Sequence, residues 1–71
     1  MITREMLENW FTYHPTTEEQ LQKYVDVRNA ALVFAQIAVD ATPACADQSA
    51  GVRSIREAVM TFNAAIACGG K

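Results

Sequence analysis

The sequence predicts an all-α fold, in which a short N-terminal helix precedes an antiparallel two-helix hairpin that assembles into a homo-oligomer. Three observations predict it. Apolar residues recur at three- and four-residue steps along two long stretches, the spacing of a helix face. Start and stop signals bracket those stretches. Hydrophobic residues make up 51% of only 71 residues, more than a hairpin can cover by itself, so part of that surface is expected against other copies.

Thr3 is placed to cap a first helix over Arg4 to Phe11. The aromatic run Trp10-Phe11-Thr12-Tyr13-His14 then meets Pro15, and a residue before proline is driven out of the helical region. Thr16-Thr17-Glu18-Glu19-Gln20 follows and offers two overlapping capping boxes, Thr16 with Glu19 or Thr17 with Gln20. Its acidic residues suit the positive end of a helix dipole.

The helix opened there is expected to reach about Asp40. Leu21, Tyr24, Val25, Leu32, Ala35 and Val39 form one apolar stripe, and Val27, Ala31, Phe34, Ile37 and Ala41 a second beside it. Two stripes mean burial on more than one side. Thr42-Pro43 fits a cap with proline in the first turn. The third helix is expected from Ala44 or Asp47 to Ala67, closed by Gly69-Gly70. Val52, Ile55, Val59, Phe62 and Ile66 give it a bulky seam, with Gly51, Ser54, Ala58, Thr61 and Ala65 as a seam of small residues alongside. The short link between the long helices implies an antiparallel hairpin. With no repeat or interdomain linker visible, residues 1–71 read as a single helical-hairpin domain.

Six Lys and Arg against eight Asp and Glu give a net charge of -2. DNA or RNA polymers are therefore not expected as partners, because they require a basic face. A small anionic ligand needs only local positive charge. Arg4, Glu5 and Glu8 argue against a signal peptide at Met1–Trp10, and the longest apolar stretch, near Ala30 to Val39, is too short to span a membrane. Cys45 and Cys68 stand about 35 Å apart along one predicted helix, too far for an intrachain disulfide, and read as reduced thiols of a cytoplasmic protein.

Catalysis has little to work with. His14 is the single histidine, no ligand-spaced metal set is present, and no glycine-rich phosphate loop occurs. No cofactor and no enzymatic activity are expected. Glu18 and Glu19 read as helix-start residues.

Two residues stand apart. Arg28 lies on the apolar stripe, seven residues after Leu21 and seven before Ala35. A charge there needs either a carboxylate across an interface or an anionic ligand. Tyr13, in the turn before His14-Pro15, either joins Trp10 and Phe11 in a cluster covering the hairpin end or offers its ring to a nucleobase. Taken together, an aromatic face for a base and a guanidinium for a phosphate are the parts of a nucleotide pocket. A two-fold axis between copies would double both, matching a cyclic dinucleotide.

The run Phe11-Thr12-Tyr13-His14-Pro15-Thr16, the segment Val27-Arg28-Asn29-Ala30-Ala31, and the later Arg56-Glu57-Ala58-Val59-Met60 with Asn63-Ala64-Ala65-Ile66-Ala67 resemble one family across nearly the whole chain. These are the phage anti-CBASS sponges, a helical-hairpin family that also includes anti-Thoeris sponges. The resemblance implies a hexamer that sequesters cyclic nucleotide signals in the cytoplasm of the infected bacterium without cleaving them. The ligands it implies are cyclic dinucleotides such as cyclic GMP-AMP, with cyclic trinucleotides or cyclic ADP-ribose isomers in some members. A turn tyrosine stacks on the base in that family, and a basic residue fifteen positions later meets the phosphate. Tyr13 and Arg28 have that spacing, although the family residue is often lysine. His14 and Pro15 would line the pocket. The competing reading is a structural or protein-binding helical bundle of a phage or bacterium with no small-molecule ligand. An enzyme degrading the same signals is a third, for which catalytic groups are wanting.

Overall fold

A computed structural model describes all 71 residues as three helices without strands. Helix α1 spans Arg4–Trp10, α2 Glu18–Ala41 and α3 Ala46–Ala67. The Thr3 side chain accepts from the Met6 N–H and starts α1. Of the two possible capping boxes, the one that forms is Thr17 with Gln20. Each side chain takes the other's backbone N–H at 3.1 Å.

Helix α2 ends where the sequence forces it to. Thr42 precedes Pro43 and is extended, with φ -122° and ψ 151°, as the proline ring requires of its neighbour. Thr42 therefore closes α2 rather than opening α3, correcting the expectation that Thr42-Pro43 caps the third helix. The residue before α3 is Cys45, whose side chain caps nothing. Gln48, in the first turn of α3, instead reaches back to α2. Its Nε2 donates to the carbonyls of Val39 and Thr42 and to the Thr42 hydroxyl at 3.1–3.2 Å. The Thr42 carbonyl has no backbone partner of its own, and that of Val39 has only a long bond from the Thr42 N–H at 3.4 Å.

At the far end of α3, Gly69 and Gly70 carry φ of 65° and 78°, a region glycine enters without a side-chain clash. The Gly70 N–H donates to Ala65 and the Gly69 N–H to Ile66, the bond pattern of a Schellman stop.

The faces that α2 and α3 turn toward each other are narrower than the apolar stripes. Gln20, Tyr24, Val27, Ala31, Ala35 and Ala38 of α2 are half-buried, as are Gln48, Val52, Ile55, Val59, Asn63 and Ile66 of α3. The contact draws on both stripes of α2 and completes neither. Phe34, Ile37 and Phe62 remain 61%, 62% and 59% exposed. No residue of the chain is buried.

The molecule is elongated, 45 × 30 × 16 Å, with a radius of gyration of 15.2 Å, against about 11 Å for a compact chain of this length. Its accessible surface is 5851 Å², whereas a compact 7.8 kDa protein exposes about 4,400 Å². The excess is about 1,500 Å². Beside α3's small-residue seam runs an open apolar groove of about 1090 Å³, lined among others by Phe34 of α2 and by Phe62, Gly51, Ser54 and Ala58 of α3. No helix is long and apolar enough to cross a membrane.

Candidate nucleotide-binding site

Helix α1 has only seven residues and cannot satisfy its own last carbonyls. The turn that follows does so with side chains. The Thr12 hydroxyl donates to the Glu8 carbonyl. His14 Nε2 lies 2.6 Å from the Asn9 carbonyl, and because a carbonyl can only accept, Nε2 carries the proton. The residues on either side of Tyr13 are thus both drawn onto α1. The Tyr13 ring is left to solvent, 84% exposed. A ring so placed offers an open face, and its backbone is held before any ligand arrives.

The turn is also tied to the hairpin. Asn9 Nδ2 donates to the Cys68 carbonyl at 3.3 Å and Trp10 Nε1 to the Lys71 carbonyl at 3.2 Å. Gln20 Nε2 donates to the Ile66 carbonyl at 3.3 Å. Three side chains thus take carbonyls from the last turn of α3 and the residues beyond it, and those of Ile66 and Cys68 accept a backbone N–H as well, from Gly69 and Lys71. Trp10 and Phe11 do not form a closed cluster over Tyr13, since all three are exposed.

Arg28 is exposed on α2. The chain's ion pair is Lys23–Glu19 at 3.4 Å, so Arg28 has no carboxylate within 4 Å in its own chain. Its position beside the half-buried Val27 and Ala31 leaves the guanidinium hydrated in a single hairpin. The cost expected of a charge on an apolar stripe arises only where copies pack. Arg28 stands ten residues beyond Glu18, about 15 Å along the helix axis, and no hydrogen bond joins it to Tyr13. Pro15 is exposed and His14 half-buried, with the histidine's Nε2 already engaged by α1.

Sequence reasoning singled out Tyr13 and Arg28 but missed Thr12, Asn9 and Gln48, which act through the backbone. Polar side chains just after a helix too short to satisfy itself were the available signal for Thr12. Nothing comparable marks Asn9, whose partner lies 59 residues away. Asn63 was quoted only as part of a motif, yet its Oδ1 is shut off from solvent without a hydrogen-bond partner. Such an atom costs about 1–3 kcal/mol until a donor reaches it. Cys45 and Cys68 are both free thiols, and no group of three His, Cys, Asp or Glu is placed to hold a metal ion.

No curated protein and no solved structure matches the chain. A protein-family description does, the Acb2/Tad1 hairpin domain, over residues 5–67. That span takes in α1, the Tyr13 turn and both long helices through Ala67. The chain belongs to the Acb2/Tad1 hairpin family of anti-CBASS and anti-Thoeris sponges, a family of phage proteins that hold cyclic nucleotide signals.

Proposed function

We propose that this protein sequesters a cyclic dinucleotide such as cyclic GMP-AMP and keeps it, uncleaved, from a CBASS effector in the cytoplasm of the infected cell. The observation that carries the reading is the Tyr13 ring, 84% exposed yet held from both sides by Thr12 and His14 on α1, in a chain of the sponge family. A solvent-facing ring with a fixed backbone has little use in a protein core. It suits a flat base, for which stacking contributes about 1–3 kcal/mol.

The two phosphates fall to Arg28 from each of two copies. A guanidinium without a carboxylate partner keeps its donors free for phosphate oxygens. Residues 1–71 act as one domain, and six copies form the working assembly. The excess surface of about 1,500 Å² is close to two halves of an ordinary interface at about 800 Å² each. A hairpin with two such faces can close a ring. Cyclic trinucleotides and cyclic ADP-ribose isomers are further ligands within the family's chemistry.

The test is calorimetry against cyclic GMP-AMP, cyclic di-GMP, a cyclic triadenylate and a cyclic ADP-ribose isomer, followed by release of the ligand. Saturable binding with chromatographically unchanged ligand after heat and proteinase supports the proposal. Absence of binding to all four would leave a purely structural bundle as the reading, and linear products would restore an enzyme.

A further inference from the structure

One residue of α1 takes part in two attachments of the Tyr13 turn, one through its backbone and one through its side chain. The Asn9 carbonyl accepts from His14 Nε2 at 2.6 Å, and the Asn9 carboxamide donates to the Cys68 carbonyl at 3.3 Å. The first bond fixes the residue after Tyr13 against α1. The second fixes α1 against the C-terminal end of α3. Trp10 adds a parallel tie at Lys71, on the far side of the glycine pair whose positive φ values turn the chain back. Asn9 is half-buried whereas Trp10 and Tyr13 are exposed, so Asn9 is the inner of the two ties.

Without these bonds the arm has little to hold it. Helix α1 buries no residue, and seven residues are too few for a stable isolated helix. Directional bonds therefore decide where the arm lies. A stacking ring benefits from being ordered in advance, since immobilising it on binding costs affinity.

We infer that Asn9 is a positioning residue for ligand binding, a clamp that fixes the Tyr13 turn to the end of α3 without touching the ligand. The effect on affinity rests on the sponge reading above, whereas the effect on the turn does not. His14 is the clamp's second member, and its Nε2–H is what the clamp requires of it. A glutamine can put an amide N–H near the same place, so His14→Gln should keep the clamp and His14→Ala should lose it. Asn9→Asp exchanges the donor facing the Cys68 carbonyl for an acceptor and should also open it.

Two measurements on the assembled protein test the inference, backbone ¹⁵N relaxation at Tyr13 and calorimetry with cyclic GMP-AMP. In the parent protein the Tyr13 amide should be as rigid as the helices, with an order parameter of about 0.85, falling to about 0.6 or below in Asn9→Ala, Asn9→Asp and His14→Ala. Affinity should fall about tenfold in each, the loss of roughly one ordering bond, with His14→Gln restoring most of it. Amides of α2 and α3 should be unaffected. An equally rigid Tyr13 in Asn9→Ala overturns the clamp, and a loosened Tyr13 with unchanged affinity overturns its role in binding. If the parent binds neither cyclic GMP-AMP nor the other cyclic nucleotides, the sponge reading fails, the binding role falls with it, and relaxation alone decides whether Asn9 holds the turn.

Discussion

Gln48 Nε2 lies 3.2 Å from the Thr42 carbonyl and 3.1 Å from the Thr42 hydroxyl, so a side chain in the first turn of α3 holds the residue that closes α2. The Thr42 hydroxyl itself donates to the Ala38 carbonyl. The hairpin bend is thus closed by side chains that straddle Pro43, which lacks an N–H to help.

Gln48→Leu should therefore destabilise the protein by about 1–2 kcal/mol, the net worth of one or two hydrogen bonds, with the Thr42 carbonyl left unpaired. Gln48→Glu should cost more, because it sets a carboxylate against two carbonyl oxygens. Denaturant midpoints at fixed protein concentration check both. A Gln48→Leu midpoint equal to the parent's would show that water serves these carbonyls equally well.

At the other end of α2 the prediction concerns Thr17 and Gln20. Thr17→Ala removes the acceptor of the Gln20 N–H and should cost about 1 kcal/mol. Gln20→Glu keeps an oxygen for the Thr17 N–H but loses the donor to Ile66. It should lower stability while leaving the helical start intact by circular dichroism.

Much of this fold was legible because its signals are local. Proline, glycine and threonine at helix ends act within four residues, so Thr3, the Thr17–Gln20 box and Gly69-Gly70 fell where their chemistry put them. Thr42-Pro43 was misassigned because a threonine before proline satisfies the end of one helix as readily as the start of the next. The stripes identified apolar residues but not which face meets which partner, since α2 leaves Phe34 and Ile37 uncovered in its own hairpin. Tyr13 and Arg28 were conspicuous by residue type. Asn9 was not, because its meaning depends on a carbonyl 59 positions away.

Tyr13→Ala and Arg28→Ala should each abolish tight cyclic-dinucleotide binding and leave the empty protein's melting temperature unchanged. Tyr13 is solvent-facing and Arg28 has no intrachain carboxylate, so neither removal strands a partner within the chain. Two copies of a stacking contact worth about 1–3 kcal/mol each bring the loss to about thirtyfold or more. A charged hydrogen bond from Arg28 contributes about 1.5–3 kcal/mol. Unchanged binding of Arg28→Ala with a collapsed melting temperature would instead reveal an ion pair across the interface, whose loss costs about 3–5 kcal/mol.

Ala58→Glu tests assembly without touching the intrachain contact. Ala58 is exposed and lines the apolar groove, so a carboxylate there is free in a lone hairpin and desolvated wherever another chain fills the groove. Sedimentation should show smaller species than the parent does, with helicity falling on dilution. A parent-like sedimentation coefficient would place the interface on another face.

If copies cover the surface that a single chain leaves open, with no residue buried, the proposed assembly also has a dose dependence built into it. Folding that is completed by neighbours responds to how many chains are present, and each tenfold dilution weakens every association step by about 1.4 kcal/mol. The first few copies made would be poorly folded, open to proteases and ineffective. Capacity would then rise faster than copy number once chains begin to meet. A hairpin completed only by its neighbours would work as a threshold device, inert when scarce and fully active only after a burst of synthesis.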